Sequence, residues 1–460
     1  MISMSCKELI KAVDGELLYG SGDTVFLGIT TDSRKVVEGN LFIPLIGEKF
    51  DGHDYIEQCV IKGAKVCLTS KAVFEMQDCT MILVSDTGKA LRDLARWYLA
   101  KFDIPVVGIT GSVGKTSTKD MVSCVLSKQF EVLKTQGNFN NEIGLPLTVF
   151  NLDDSNDAAV LEMGMSGFGE ISRLTAIAKP DIAIITNIGV SHIEKLGSQE
   201  GILKAKLEII EGLKDGGLLI LNGDDPLLIG LKGKLGVRCV YYGMNEENSI
   251  RAQNYISSGE CGSTFEILYK GSAYPVRVPV PGIHNVYNAL AAIAAGIELQ
   301  IPLEIAIEGI ADYVPGNMRQ NIISHKDIKI INDTYNASPQ SMKASLSVLE
   351  ELSKGNGSIA VLGDMLEMGE LSKEMHYCVG EFAAELNIDC IVTVGPNSRS
   401  ICEAVSALGN RHIKLESFDN NEDALRYILG VLRPGNYVLV KGSRGMKMET
   451  IIDGIMKEYI

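Results

Sequence analysis

Short apolar runs alternate with longer segments in which apolar residues recur at helical spacing along most of the chain. In the N-terminal part, the runs at 66–69 and 81–84 predict strands, and residues 92–102 predict a helix. Regular alternation of buried strands and helices is typical of a largely parallel α/β sheet. Further strands are predicted in the middle of the chain, at 104–110, 158–163, 181–187 and 217–222.

A separate series of strands and helices begins after Pro315-Gly316 and predicts a second doubly wound sheet, of the Rossmann type. A chain of 460 residues is too long for one ordinary core. We therefore predict an α/β protein of three domains. These are a smaller α/β domain at 1–102, a central P-loop-type parallel sheet at 103–314 and a Rossmann-like domain at 315–460. The strands of the last domain are predicted at 329–332, 358–363, 390–395 and 437–441.

Composition and charge restrict the classes of partner. Hydrophobic residues make up 46% of the chain and charged residues 22%, which is ordinary for a globular protein. The net charge of −15 argues against general binding to nucleic acid or to an anionic membrane surface. The ten cysteines are scattered and have no metal-ligand spacing, which favours a reducing compartment. Neither a signal-peptide pattern nor a bilayer-length apolar run is present, so we expect a soluble, cytoplasmic protein, monomeric by default.

The segment Gly111-Ser-Val-Gly-Lys-Thr-Ser117 follows a predicted strand and precedes a predicted helix. This is the context of a phosphate-binding loop, in which backbone N–H groups and the helix N-terminus surround phosphate oxygens. Lys115 would contact the terminal phosphates, and the Thr116 hydroxyl would bind Mg²⁺. Ile109 occupies the place of the first glycine of the usual motif, so a chance glycine-rich turn is the alternative. The predicted nucleotide-binding residues are Gly111, Ser112, Val113, Gly114, Lys115, Thr116 and Ser117.

Glu162 ends one strand of the predicted central sheet, and His192 lies just beyond the carboxyl end of another. In open parallel sheets these ends form the ligand-binding crevice. A carboxylate suits Mg²⁺ well, and an imidazole suits it less well. Both residues are therefore candidate metal ligands beside the phosphate loop, and a capping or surface role is the alternative for each.

Lys206 lies in the middle of an apolar helical arc. A lysine at such a position usually extends its ammonium group to solvent. The alternative is that burial lowers its pKa, so that a neutral amine reacts with carbon dioxide. The resulting carbamate would be an acidic ligand for a second Mg²⁺. The residues that fill the arc are Ile202, Leu203, Leu207, Ile209, Ile210 and Leu213.

Several motifs, in order along the chain, resemble those of the Mur ligase superfamily. They are G-S-V-G-K-T at 111–116, L-E-M-G at 161–164, S-H at 191–192 and A-K at 205–206. Longer stretches are similar to the members that join D-alanyl-D-alanine to a UDP-N-acetylmuramoyl tripeptide in peptidoglycan synthesis. These stretches are T-T-D-S-R at 30–34, F-D-G-H-D at 50–54, G-N-F-N-N-E-I-G at 137–144, N-D-T-Y-N-A-S-P at 332–339 and K-G-S-R-G-M-K-M-E at 441–449. The resemblance covers essentially the whole chain.

The resemblance implies an ATP-dependent amide ligase that uses two Mg²⁺ ions. In such an enzyme the tripeptide carboxylate receives the γ-phosphoryl group of ATP, and the dipeptide amine then displaces phosphate from the acyl phosphate. The catalytic residues would be Lys115, Lys206, His192 and Arg319. The metal ligands would be Thr116, Glu162, His192 and Lys206, the last of them carbamylated.

The resemblance also implies that each domain contacts a different part of the reactants. The N-terminal domain would bind the UDP substrate, and the C-terminal domain would bind the dipeptide and close on ATP. The implied contacts are Ser33, Arg34 and His53 to the uridine diphosphate, Asn141 and Asn288 to adenine, Arg319 and Asp333 to the terminal phosphate and the ribose, and Tyr335, Asn336 and Ser338 to the dipeptide. Without the resemblance, a cap, turn or loop role would explain most of them equally well.

Other functions remain as alternatives. A related Mur ligase would add the third residue of the peptide, and a folylpolyglutamate-type ligase would use a different acid and amine. A P-loop ATPase acting as a switch or motor would turn over ATP without any acceptor amine. The chain carries no dedicated partner-binding motif that would support the last of these.

Overall fold

The computed structural model describes residues 2–71, 76, 78–409 and 412–459. Its Cα positions divide into two compact units. The first contains the chain up to Thr110 together with 129–183 and 207–218, and the second contains 111–128, 184–206 and the chain from Leu219 onward. Among the residues described, no helix is both long and apolar enough to cross a membrane. The domain boundaries near 102 and 315 stay a prediction.

The N-terminal sheet has its parallel strands side by side. Its elements are β1 (Met4–Ser5), α1 (Cys6–Val13), β2 (Glu16–Tyr19), β3 (Val25–Phe26), β4 (Ile29–Thr30), β5 (Leu41–Phe42), α2 (Ile56–Ile61), β6 (Val66–Thr69), β7 (Thr80–Leu83) and α3 (Thr87–Leu99). The strand order is β2-β7-β6-β5-β4, with β4 to β7 parallel and β2 antiparallel, while β1 pairs with β3. The predicted strands are β6 and β7, and the predicted helix is α3, which begins and ends earlier than expected.

The central part of the chain contributes to a nine-stranded sheet, in the order β16-β15-β14-β13-β12-β11-β8-β10-β9. The strands are β8 (Val106–Thr110), β9 (Val132–Lys134), β10 (Ala158–Glu162), β11 (Ile182–Ile185), β12 (Leu218–Asn222), β13 (Arg238–Gly243), β14 (Ile250–Ser257), β15 (Ser263–Tyr269) and β16 (Ser272–Val278). The helices are α4 (Lys115–Leu126), α5 (Gly144–Val149), α6 (Glu170–Ala178), α7 (Ile193–Leu196), α8 (Gln199–Leu207), α9 (Pro226–Ile229), α10 (Ile283–Glu298) and α11 (Leu303–Ala311).

The pattern of burial explains why some strands of the central sheet could be predicted from the sequence and others could not. Every residue of β8, β10 and β11 is buried, as parallel strands covered on both faces should be. The antiparallel extension formed by β14, β15 and β16 was not predicted from the sequence. Along β15, buried and half-buried positions alternate, so the sequence lacks the continuous apolar run of the other strands.

The C-terminal part forms a six-stranded sheet, in the order β17-β18-β22-β19-β20-β21. Its strands are parallel except for the edge strand β17, so the predicted Rossmann-like sheet is confirmed. The elements are β17 (Asn321–His325), β18 (Ile328–Asp333), α12 (Pro339–Leu352), β19 (Ser358–Gly363), α13 (Ser372–Ala384), β20 (Cys390–Val394), α14 (Arg399–Ala407), β21 (Lys414–Phe418), α15 (Asn421–Val431), β22 (Tyr437–Lys441) and α16 (Glu449–Glu458).

The apolar arc around Lys206 is divided between two kinds of helix. The α-helix ends at Leu207, and a 3₁₀ helix follows at Glu208–Gly212. The Glu208 carboxylate accepts hydrogen bonds from the backbone N–H groups of Gly169 and Ser172. Gly212 packs so closely that a Cβ atom there would lie 2.3 Å from the carbonyl oxygen of Thr175. These contacts account for the tighter turn in a segment whose spacing suggested one continuous helix.

Candidate active site

The chain turns sharply between β8 and α4. Gly111 and Gly114 have φ angles of 152° and 85°, values that glycine adopts far more readily than other residues. A Cβ atom on Gly111 would lie 1.8 Å from Oγ1 of Thr186. A Cβ atom on Gly114 would lie 2.8 Å from Oδ1 of Asn288. The turn therefore depends on glycine at both positions, as the predicted phosphate loop requires.

Residues that follow β11 hold this loop in place. Oγ1 of Thr186 donates a hydrogen bond of 2.6 Å to the carbonyl oxygen of Val113, and the Val113 N–H donates one of 2.9 Å to Oδ1 of Asn187. The N–H of Gly189 donates to Oγ of Ser112 at 2.8 Å. Neither Thr186 nor Asn187 is among the site residues predicted from the sequence. Their position at the end of a predicted parallel strand was the signal that could have found them.

The first turn of α4 carries the predicted phosphate contacts. Nζ of Lys115 donates to the carbonyl oxygen of Gly111 at 2.8 Å, so the ammonium group lies over the loop. Thr116 is buried at the start of the helix. Ser117 is hydrogen-bonded to Tyr313, and burial raises the pKa of Tyr313 to about 12. A helix N-terminus with a lysine beside it attracts phosphate, so the loop can hold a nucleotide.

Lys206 is only 3% exposed, so it does not extend to solvent. Burial lowers its pKa well below the usual lysine value, and the charge of Lys115 lowers it further. Ile202 and Ile209 of the predicted arc are fully buried, whereas Lys204 is exposed. The structure thus buries this lysine within the apolar arc, and the lowered pKa favours the neutral amine more than in a solvent-exposed lysine. A neutral amine is the form that can add carbon dioxide.

His192 lies at the start of α7 with a left-handed backbone, at φ 62°. Its Nδ1 atom is 2.6 Å from Oε2 of Glu367. The pKa of His192 is lowered, chiefly by burial and also by the charges of Lys115 and Lys206, although Glu367 opposes the shift. The neutral imidazole is the form that binds metal ions.

Glu162 ends β10 in the first unit, and it is 2% exposed. Its Oε1 atom accepts a hydrogen bond of 2.8 Å from Nδ2 of Asn140. Its backbone N–H donates to Oγ1 of Thr135 at 2.9 Å. A buried carboxylate with one oxygen oriented by an amide has the hydrogen-bonded environment that metal-binding carboxylates commonly have, and the role of Glu162 as a metal ligand stays a prediction. Asn140 is not among the predicted site residues, although it lies within the quoted stretch at 137–144.

Asn141 and Asn288 were expected to face adenine, and both use Oδ1 within the protein. Oδ1 of Asn141 accepts from the N–H of Gly144, the first residue of α5, at 2.8 Å. Oδ1 of Asn288 accepts from Oγ1 of Thr118 at 3.1 Å, and its Nδ2 donates to Oδ1 of Asn285 at 3.2 Å. These contacts are those of a helix cap and of a packing residue, and the adenine contacts stay predictions.

Two predicted residues of the C-terminal part lie against each other. The guanidinium carbon of Arg319 is 3.9 Å from the centroid of the Tyr335 ring, a cation–π distance. Oδ2 of Asp333 accepts hydrogen bonds from Nζ of Lys441 at 2.5 Å and from Oγ of Ser345 at 2.6 Å. Lys441 is not among the predicted site residues, although it begins the quoted stretch at 441–449. The phosphate and ribose contacts of Arg319 and Asp333 stay predictions.

The remaining residues of the expected dipeptide pocket differ in exposure. Asn336 is exposed, and its carbonyl oxygen accepts from Nζ of Lys441 at 3.0 Å. Ser338 is buried and caps α12, where its Oγ accepts a hydrogen bond from the N–H of Ser341. The side chain of Ser338 therefore serves the helix, and the dipeptide contacts stay predictions.

Ser33, Arg34 and His53 follow β4 and β5, whose carboxyl ends share one edge of the N-terminal sheet. Nε2 of His53 accepts from the N–H of Ser70 at 3.0 Å, so Nδ1 carries the proton that it shares with Oδ1 of Asp51 at 2.6 Å. The side chain of Arg34 is 85% exposed. In chain order, all three residues follow strands whose carboxyl ends form the kind of edge where open parallel sheets bind ligands.

In the part of the chain that the structure describes, no group of three or more His, Cys, Asp or Glu side chains could hold a metal ion. The predicted metal ligands do not form such a group, because they include the hydroxyl of Thr116 and a modified Lys206 as well as Glu162 and His192. In the second unit, Thr116 and Lys206 are buried and His192 favours its neutral form. A hydroxyl and a carbamate offer the oxygen donors that Mg²⁺ prefers, and a neutral imidazole suits the ion less well but can also bind it, so these residues fit the ion.

Comparison with known proteins assigns this arrangement to a class. The Mur ligase family, catalytic domain model matches residues 26–98, the Mur ligase middle domain model matches 109–296, and the Mur ligase, glutamate ligase domain model matches 318–444. Together with the sheets and the phosphate loop, these matches define an ATP-dependent ligase with the three-domain α/β fold of the Mur ligases.

More specific relatives match along the whole chain. The UDP-N-acetylmuramoyl-tripeptide–D-alanyl-D-alanine ligase of Bacillus subtilis is 42% identical over 99% of each chain. A structure of MurF from Acinetobacter baumannii has a TM-score of 0.92 at 30% identity and covers 100% of both chains. MurF from Thermotoga maritima in complex with ADP has a TM-score of 0.84 at 30% identity, over 94% of this chain and 97% of that chain. The chain belongs to the UDP-N-acetylmuramoyl-tripeptide–D-alanyl-D-alanine ligase family.

Proposed function

We propose that the protein joins the amine of D-alanyl-D-alanine to the terminal carboxylate of a UDP-N-acetylmuramoyl tripeptide and consumes ATP. The observation that carries this proposal is the glycine-dependent phosphate loop, on a chain 42% identical throughout to a ligase of that name. The products would be the UDP-linked muramoyl pentapeptide, ADP and phosphate. The pentapeptide would serve peptidoglycan synthesis, and through it cell shape and division.

The carboxylate must be activated, because its oxygen does not leave at neutral pH. The tripeptide carboxylate would attack the γ-phosphorus of ATP, which forms an acyl phosphate and releases ADP. The dipeptide amine would then attack the acyl carbon, lose a proton to solvent and expel phosphate. Two anions approach each other in the first step, so Lys115 and Arg319 would supply compensating positive charge.

Two Mg²⁺ ions would neutralise charge on the phosphoryl group during its transfer. Thr116, His192 and carbamylated Lys206 would hold them. Burial lowers the pKa of both His192 and Lys206. The lower pKa favours the neutral imidazole, which binds metal ions, and the neutral amine, which can form the carbamate. The assignment of Glu162 as a further ligand is supported by its burial and by its place at the end of β10.

The substrate contacts follow the positions of the loops. The edge of the N-terminal sheet would bind the uridine diphosphate, and the loops after β18 would bind the dipeptide. The contacts proposed are Ser33, Arg34 and His53 for the uridine diphosphate, Asn141 and Asn288 for adenine, Asp333 for the ribose, and Tyr335, Asn336 and Ser338 for the dipeptide.

We propose the cytoplasm as the compartment, because ATP and UDP-linked precursors are cytoplasmic compounds and all ten cysteines are free thiols. The protein would act as a monomer with domains at 1–102, 103–314 and 315–460. Pro315-Gly316 would be the hinge on which the last domain closes.

The test is to incubate the protein with ATP, Mg²⁺ and the UDP-linked tripeptide, and to measure phosphate release with and without D-alanyl-D-alanine. Release that depends on the dipeptide, with a pentapeptide product by mass spectrometry, is expected. Release without the dipeptide would favour an ATPase. Release only with another amine, or with a folate or a dipeptide-level muramoyl nucleotide, would favour one of the related ligases.

A further inference from the structure

A loop of the C-terminal sheet reaches the imidazole of His192. Oε2 of Glu367, which follows β19, lies 2.6 Å from Nδ1 of His192. An ionised carboxylate can only accept hydrogen bonds, so Nδ1 must carry the proton in this contact. Nε2 of His192 then keeps its lone pair. The contact therefore selects one of the two neutral tautomers of this histidine.

Both partners have a backbone conformation that is unusual for residues other than glycine. The φ angle is 62° at His192 and 63° at Glu367. Residues with side chains occupy this region rarely, and they stay there only when the surrounding structure requires it. Such residues are concentrated at functional sites. The direct contact between two such residues indicates that the backbone conformation at His192 and Glu367 serves to bring their side chains together.

Hydrogen bonds from the two residues before Glu367 hold its loop in place. The N–H of Met365 donates to Nε2 of His376 at 2.8 Å. The N–H of Leu366 donates to Oγ of Ser443 at 2.9 Å. The residues immediately before Glu367 are thus attached to α13 and to the loop after β22. His376, which is fully buried in α13, therefore supports the loop that carries Glu367.

The loop also packs directly on α7. A Cβ atom on Gly369 would lie 3.1 Å from Cγ of Glu194, which belongs to the turn that follows His192. Asp364, at the start of the loop, accepts from the N–H of Ser398 at 2.7 Å, which attaches the loop to the segment before α14. The position of Glu367 relative to His192 is therefore fixed by contacts on both sides of it.

We propose that Glu367 is a positioning residue for the metal site: by accepting the Nδ1 proton of His192, it keeps Nε2 free as the metal-binding atom. This inference rests on the proposed role of His192 as a ligand of Mg²⁺. Histidines that bind metals through one nitrogen commonly donate the other N–H to a carboxylate, and loss of that partner weakens metal binding by about 10- to 100-fold. The site on α7 is then complete only when the C-terminal loop is in place.

The exposure of Glu367 makes the proposal testable. Its side chain is 63% exposed, so its loss should leave the fold intact. Glu370 in the neighbouring 3₁₀ turn is also exposed and provides a matched control. The full-length variants Glu367→Ala, Glu367→Gln, Glu370→Ala and His192→Ala would be compared with the unaltered protein. Mn²⁺ affinity with ADP bound, measured by electron paramagnetic resonance, is one readout, and the His192 tautomer, by ¹⁵N NMR of histidine-labelled protein, is the other.

We expect Glu367→Ala to weaken Mn²⁺ binding about 10- to 100-fold and to move the His192 proton toward Nε2. Glu367→Gln keeps an acceptor oxygen and should lie between Glu367→Ala and the unaltered protein, and Glu370→Ala should change neither readout. Mn²⁺ binding that needs His192 but is indifferent to Glu367→Ala, with the tautomer unchanged, would overturn this inference alone. Mn²⁺ binding that is unchanged in His192→Ala would overturn the proposed metal site as well.

Discussion

Nζ of Lys441 lies 2.5 Å from Oδ2 of Asp333, in an ion pair whose side chains are only 3% and 13% exposed. The two residues are in direct register at the ends of the neighbouring parallel strands β22 and β18. The same Nζ atom also donates to the carbonyl oxygen of Asn336. One buried lysine therefore fixes both the predicted ribose contact and the loop of the predicted dipeptide pocket.

Replacing this lysine should destabilise the protein. Lys441→Met leaves the carboxylate of Asp333 buried without its cation, and breaking a buried pair in this way typically lowers the free energy of unfolding by about 3–5 kcal/mol. Lys457→Met changes an exposed lysine on α16 and should have little effect. Denaturant unfolding of both variants checks this, and equal midpoints for the two would contradict it.

We expect the phosphate loop to be needed for ADP formation but not for binding of the UDP-linked tripeptide. Lys115→Ala should abolish ADP formation, because the γ-phosphoryl group loses its cation, while binding of the UDP-linked tripeptide persists. A coupled ADP assay and titration calorimetry measure the two properties, and Lys234→Ala at an exposed turn is the control. A folded Lys115→Ala protein that no longer bound the UDP-linked tripeptide would disprove this division of roles.

The carbamate predicted at Lys206 should be replaceable by a free acid. Lys206→Ala should lose ligase activity and partly regain it with added formate or acetate, because a carboxylate can occupy the site of the carbamate. The exposed neighbour Lys204 gives the control variant Lys204→Ala, whose activity should not respond to these acids. Failure of several short acids to restore any activity would argue against the carbamate.

The lowered pKa of Lys206 should make stability depend on pH. Between the lowered pKa and the usual lysine value of about 10.4, the unfolded chain holds a proton that the folded protein lacks, so this group opposes folding and does so less as pH rises. In bicarbonate-free buffer, Lys206→Met should therefore be more stable than the unaltered protein at neutral pH. The difference should shrink toward about pH 10 in unfolding experiments, and a difference that grew with pH would contradict the shift.

The close approach at Gly111 should make the loop intolerant of a side chain. In Gly111→Ala the new Cβ would collide with Thr186, and the loop would have to move away from it. We expect ADP to bind at least about tenfold more weakly, roughly 1.4 kcal/mol, by calorimetry. Gly236→Ala is the control, since a Cβ there meets nothing within 4 Å. Unchanged ADP affinity in Gly111→Ala would show that the loop tolerates the displacement.

Local patterns in the sequence determined much of the fold and part of the site. The strands at 358–363 and 437–441 have the predicted bounds, because buried parallel strands leave continuous apolar runs. The phosphate loop was recognisable because its glycines, lysine and threonine are adjacent in the chain. The place of Lys206 in an apolar arc could be read from helical periodicity, which depends only on neighbours within two turns, but periodicity left open whether its ammonium group reaches solvent.

Only the tertiary structure decided which distant residues support the site. Asn187 holds Val113, Asn140 orients Glu162, and Glu367 reaches His192. In each pair the partners are separated along the chain by segments whose course depends on strand order and loop packing. The physical reason is that a polar side chain takes whichever donor or acceptor the packed elements bring within about 3 Å, and no local pattern in the sequence records that choice.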